Sequence, residues 1–96
     1  MVRLSKAKRG KHRWIGISLN SEINSRKDLE IILNELLENS TWRLFDFAPF
    51  SGSFRFIIKV DLKYYKYYLE ILNSHDLFET LTSSGKINLV RERLSI

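Results

Sequence analysis

The stretch that decides the fold is Ser51-Gly52-Ser53-Phe54-Arg55-Phe56-Ile57-Ile58-Lys59-Val60. Ser51-Gly52-Ser53 is a turn signal. After it, Phe54, Phe56, Ile58 and Val60 alternate with Arg55, Ile57 and Lys59, the period of a strand. Before it, Trp42 to Phe50 is aromatic-rich and reads as extended, stopped by Pro49. The two runs predict a β-hairpin.

Upstream, His12 to Leu19 also alternates: Arg13, Ile15, Ile17 and Leu19 share one face, and Trp14, Gly16 and Ser18 the other. Asn20 to Asn24 reads as a loop. Ser25 then stands as a helix N-cap with Asp28 three residues on, a weak capping box. Leu29, Ile32, Leu33, Leu36 and Leu37 follow at i, i+3, i+4, i+7 and i+8, an amphipathic helix expected to end near Asn39. Its other face is net acidic (Arg26, Lys27, Glu30, Glu35, Glu38), a solvated or protein-facing surface and a poor one for RNA.

Downstream of the hairpin, Asp61 is expected to cap a second helix through about Asn73, with Leu62, Tyr65, Leu69 and Leu72 as its buried stripe. A turn at Asn73 to Asp76 leads to a strand over Leu77 to Thr82. Ser83-Ser84-Gly85 is expected to break it. A short last helix follows, with Ile87, Val90 and Leu94 on one side and Ser83 or Ser84 as its cap. The order β-α-β-β-α-β plus a helix is the split βαβ, ferredoxin-like arrangement. The expected class is α+β: an antiparallel sheet, two helices on one face, and a short C-terminal helix over an edge or part of the other face. Residues 1–11 are expected to be a flexible basic arm and residues 12–96 a single α-β sandwich domain.

Ninety-six residues allow one domain with a modest core. Without cysteine there is neither disulfide nor thiolate metal site. No apolar run approaches the roughly 20 residues of a membrane span, so no membrane partner and a cytoplasmic location are expected. Arg3, Lys6, Lys8, Arg9, Lys11 and Arg13 place six positive charges in the first 13 residues with no acid, while the other 83 residues carry ten basic and eleven acidic side chains. The basic excess is an arm. Such an arm can neutralise phosphates and release counterions, or serve as a solubilising tail.

Catalytic patterns are missing. His12 and His75 are the only histidines, and no spacing resembles a metal site. The carboxylates lie along helix faces and do not gather as a two-metal set. Gly85-Lys86 lacks a phosphate loop before it. Lys63-Tyr64-Tyr65-Lys66-Tyr67-Tyr68 interleaves cations and aromatics, as single-strand binders do. On a helix it separates by face: Tyr65 and Tyr68 inward, Tyr64 at the border, and Lys63, Lys66 and Tyr67 outward. Phe54 and Phe56 read as core, in the wrong register for base stacking on an RNA-recognition sheet. Trp14 faces away from Ile15 and Ile17. Either the last helix covers it or it is an exposed anchor for RNA or protein.

Two segments carry a resemblance: Lys11-His12-Arg13-Trp14-Ile15, and Thr80-Leu81-Thr82-Ser83-Ser84-Gly85-Lys86-Ile87 with the basic stretch to Leu94. Together they resemble the archaeal ribonuclease P protein component 2 family, which has eukaryotic relatives in ribonuclease P and MRP. The likeness spans roughly residues 11–94. It implies a ribonucleoprotein subunit that supports a catalytic RNA in removing 5′ leaders from pre-tRNA. The implied partners are the ribonuclease P RNA, pre-tRNA indirectly, the component 3 subunit and other protein subunits. Catalysis would belong to the RNA, with Mg²⁺ on the RNA and no cofactor on the protein. The implied RNA-facing residues are Lys11, Arg13, Lys86, Arg91 and Arg93, joined by Lys6, Lys8 and Arg9 of the arm. Relatives often carry Thr at Lys86. The compact Ser40-to-Ser53 region lacks any longer loop for self-association. The competing expectations are a generic RNA-binding or ribosomal module, and a small protein-interaction domain.

Overall fold

The computed structural model describes residues 12–20, 25–37 and 42–96. In chain order it comprises β1 (His12–Leu19), α1 (Arg26–Leu37), β2 (Trp42–Phe50), β3 (Ser53–Asp61), a 3-10 turn (Leu62–Tyr64), α2 (Tyr65–Asn73), β4 (Phe78–Ser84) and α3 (Ile87–Leu94). The described residues are α+β, with one four-stranded antiparallel sheet in the order β2-β3-β1-β4 and three helices. This is compatible with a ferredoxin-like fold.

The hairpin forms where the sequence places it. Phe50 pairs with Ser53, and the two residues between them, Ser51 and Gly52, have φ of 47° and 83°. Positive φ at both central positions matches the right-handed twist of the strands, the reason such turns favour glycine. Pro49 does not stop β2, which runs on through Phe50. β2 is an edge strand, where a proline costs no interior ladder bond.

Alternation along β1 and β3 divides the core in two. Ile15, Ile17 and Leu19 on β1, and Phe56, Ile58 and Val60 on β3, face α1 and α2. They pack with Leu29, Leu33, Leu37, Tyr68 and Leu72, while Ile32, Leu36, Phe54 and Leu69 are partly buried around them. Ser25 caps α1 by accepting the Asp28 N–H at 3.1 Å. Arg26 Nη2 donates to the Leu44 carbonyl of β2 at 2.9 Å, and Leu36 shares a groove with Ile71, Ser74 and His75. Helix α1 therefore starts over β2 and finishes beside the C-terminal half of α2. The expected end near Asn39 lies outside the described residues, as does the Ser21-to-Asn24 part of the first loop.

The opposite face carries α3. Ile57, Val90 and Leu94 are fully buried there, with Trp14, Phe45 and Ile87 partly buried around them. An isolated eight-residue helix is unstable in water, so this docking sustains it. Each such aliphatic side chain contributes about 1.5–3 kcal/mol on full burial. Gly16 makes the close approach possible: a Cβ there would meet Val90 Cγ1 and Leu94 Cδ1 at 2.9 Å. The C-terminus is closed by Arg55, whose Nη1 donates to the Leu94 carbonyl at 2.8 Å. It is closed again by Ser95 at φ 61°, with Ser95 N–H on Glu92 and Ile96 N–H on Arg91.

Three local expectations are corrected. Asp61 ends β3 and makes no side-chain cap, and Leu62 is 39% exposed in the 3-10 turn. A tighter turn rotates each residue further than an α-helix does, which takes Leu62 off the buried stripe. β4 covers Phe78–Ser84, because Ser83 and Ser84 pair with Ile15 and Trp14. Neither serine caps α3: its N-cap is Lys86, without a side-chain bond, and Ser84 Oγ accepts the Lys86 N–H at 3.1 Å.

Candidate nucleic-acid interface

Register arranges the α3 side of the sheet in rows. Phe45, Ile57, Gly16 and Thr82 are successive cross-strand partners and form the row beneath α3. The next row, toward the start of β1, is Arg43, Lys59, Trp14 and Ser84. It lies at the margin of α3, which begins just after Ser84 and ends where Arg55 reaches Leu94. Arg43 is exposed, and Lys59 and Trp14 are partly buried.

Trp14 is thus half covered, between the two sequence expectations. Phe45 meets it edge-on, with ring centroids 4.9 Å apart, and His12 does the same at 5.6 Å. The Lys59 ammonium lies 5.6 Å from the Trp14 ring centroid, a cation–π contact. Burial pushes the His12 pKa down from its ordinary value; Lys59 pushes it further down, against an opposing pull from Asp61. Arg43 and Lys59 are directly opposed like charges, a destabilising arrangement in a bare sheet. The ion pairs among the described residues are Arg26–Glu30 and Arg91–Asp46, so no described acid neutralises this pair.

The residues singled out from sequence distribute unevenly. Arg13 points to the other face, its guanidinium 5.7 Å from the Tyr65 ring centroid. The Tyr65 hydroxyl bonds the Ser83 hydroxyl, and a Cβ on Gly85 would stand 3.6 Å from Arg13 Nη1. Arg93 Nη1 donates to Thr82 Oγ1 at 2.9 Å and to the Ser83 carbonyl at 3.3 Å. Lys86 follows directly and is exposed. Arg13, Lys86 and Arg93 therefore gather at the corner where β4 gives way to α3.

Arg91 is separate from them. It reaches from the other side of α3 to Asp46, which accepts from both Nε and Nη2. That hydrogen bonding pushes the Arg91 pKa up. Asp46 has φ 49° and sits where the β2–β3 register shifts, so a bulge turns its carboxylate toward α3. Lys6, Lys8, Arg9 and Lys11 lie outside the described residues.

Sequence reading missed Arg43 and Lys59. Alternation put Lys59 opposite the Phe56 face, but nothing local to either residue shows that the hairpin sets them side by side. Of the aromatic stretch, Tyr68 is buried and Tyr64 half-buried at the border as expected, Tyr67 points outward at 58% exposed, and Tyr65, expected inward, is only partly buried. Among the described residues no cluster of three His, Cys, Asp or Glu side chains could hold a metal ion, and no helix is long and apolar enough to cross a membrane. Compared with protein-family models, curated proteins and solved structures, the chain matches none.

Proposed function

We propose that this protein is an RNA-binding subunit of a ribonuclease P-type ribonucleoprotein, on a ferredoxin-like domain closed by α3. The observation that carries the reading is the meeting of the two segments that bear the resemblance. They stand about seventy positions apart in sequence, yet Trp14 pairs with Ser84 and Ile15 with Ser83. Arg13, Lys86 and Arg93 then surround one corner. Cations with no acid partner among the described residues position a phosphate backbone but do not read sequence. Such a protein screens the negative charge of a folded RNA, while the RNA and its Mg²⁺ carry out phosphodiester hydrolysis.

The centre of the α3 face is filled by Val90 and Leu94, so bases cannot stack across the middle of the sheet as on an RNA-recognition module, and only its margin stays open. This favours the subunit reading over a generic sheet-based RNA reader. The test is purification of the protein from its source with identification of what accompanies it. Ribonuclease P RNA with pre-tRNA 5′ processing activity is the expected result. Ribosomal RNA alone, or no RNA, overturns the proposal.

A further inference from the structure

We infer that the row Arg43–Lys59–Trp14, on the open margin of the sheet beside α3, binds an unpaired stretch of RNA. The inference rests on the RNA-binding reading above and gives it a ligand class and a place separate from the Arg13–Lys86–Arg93 corner.

Three observations lead there. Arg43 and Lys59 face each other across the hairpin with no described acid between or beside them in an ion pair. A sheet that holds like charges in direct opposition is relieved by a polyanion, which turns the repulsion into shared attraction for phosphate. Next in the row stands Trp14, its indole supported by Phe45 and approached by the Lys59 ammonium. Phosphate drawing Lys59 aside opens that ring to a base, and base–aromatic stacking tolerates any sequence. In the adjoining row Asp61 stands opposite His12.

Shape selects the unpaired form. From β2 to β1 the row spans two inter-strand spacings, roughly 10 Å. Along its side α3 stands as a wall, a helix with side chains being about 10 Å across. A narrow shelf against a wall admits a single strand with its bases turned to Trp14. A rigid duplex bridges from the wall and leaves the shelf unfilled.

The experiment uses the full chain with Trp42→Phe, which leaves Trp14 as the sole tryptophan of the two. A short oligouridine, a duplex RNA of the same length and a polyglutamate peptide are titrated across a salt series. Oligouridine is expected to quench Trp14 emission and to bind more tightly than the duplex. Arg43→Gln with Lys59→Gln should weaken oligouridine binding about tenfold and flatten its log–log salt slope by about 1.4, two single-strand phosphate contacts. The far-UV spectrum should stay unchanged, since neither residue belongs to the buried core. An unaltered slope and affinity in that variant overturn the inference. So does binding without any change in Trp14 emission, or polyglutamate binding as strong as oligouridine and equally dependent on the pair. If wild type binds RNA and Lys86→Gln with Arg93→Gln alone weakens it, this inference fails while the broader reading stands. If wild type binds neither RNA, both fail.

Discussion

Replacing Lys59 with Gln disturbs His12 as well as the cation row. The His12 pKa is depressed by burial first and by Lys59 second. A depressed pKa means that the folded state prefers the neutral ring. Its stabilising effect is fully present above the unfolded value near 6.5 and is lost as pH falls through the folded value. In Lys59→Gln the His12 titration, followed by NMR, should move upward but stay short of the ordinary value, because burial remains. A downward shift or none would show that Lys59 does not act on His12. Arg91 makes the opposite case, a cation whose charge is already engaged by Asp46. Asp46→Asn should release that guanidinium and leave RNA binding tighter with a steeper salt slope, read by fluorescence anisotropy. Weaker binding would mean that the pair orients α3 for RNA.

Among the elements, α3 depends on a single missing side chain. Gly16→Val drives methyl groups into Val90 and Leu94 and should cost about 1–3 kcal/mol in thermal or urea unfolding. An unchanged midpoint would mean that α3 is not seated on β1. Ser95→Gly works the other way: it relieves a left-handed residue at the helix end and should stabilise by about 0.5–1 kcal/mol. What could be read in advance follows the range of the physics. The Ser25 cap, the α1 stripe, the Ser51-Gly52 turn and the alternation of β1 and β3 are local or periodic, and each stands in its linear pattern. The length of β4 is not local, since Ser83 and Ser84 are held by strand β1 from far upstream. Neither is the Arg43–Lys59 row, which needs the hairpin register, nor the Arg91–Asp46 pair, which needs a bulge and a helix to meet. Of the interface, Arg13, Lys86 and Arg93 were visible as charge near a recognisable segment. Alternation put Arg13 on the Ile15 face, but its meeting with Lys86 and Arg93 at one corner depends on the β1–β4 pairing.

At the scale of the whole molecule, Arg13, Arg43, Lys59 and Lys86 lie toward the end of the sheet where His12 enters, with Asp61 opposite His12 among them, while Glu70, Asp76 and Glu79 lie around the far end of α2 and β4. Removing residues 1–10 takes away four cations, Arg3, Lys6, Lys8 and Arg9, and leaves every buried residue among those described in place. Thermal unfolding should hardly move, while the salt slope of single-stranded RNA binding should flatten by up to about 2.8 at four contacts. A lost transition would show that the segment belongs to the fold. The position of β1 has a further consequence, for synthesis. It is a central strand, and both its partners, β3 and β4, are made later. At roughly 5–20 residues per second, Ile15, Ile17 and Leu19 wait for several seconds before Ser84 exists to complete their ladder. An unpaired apolar strand in a nascent chain invites association with its neighbours on other ribosomes. Lys6, Lys8, Arg9 and Lys11, just ahead of it in sequence, are mutually repelling charges of the kind that keeps such strands apart while the chain is being made.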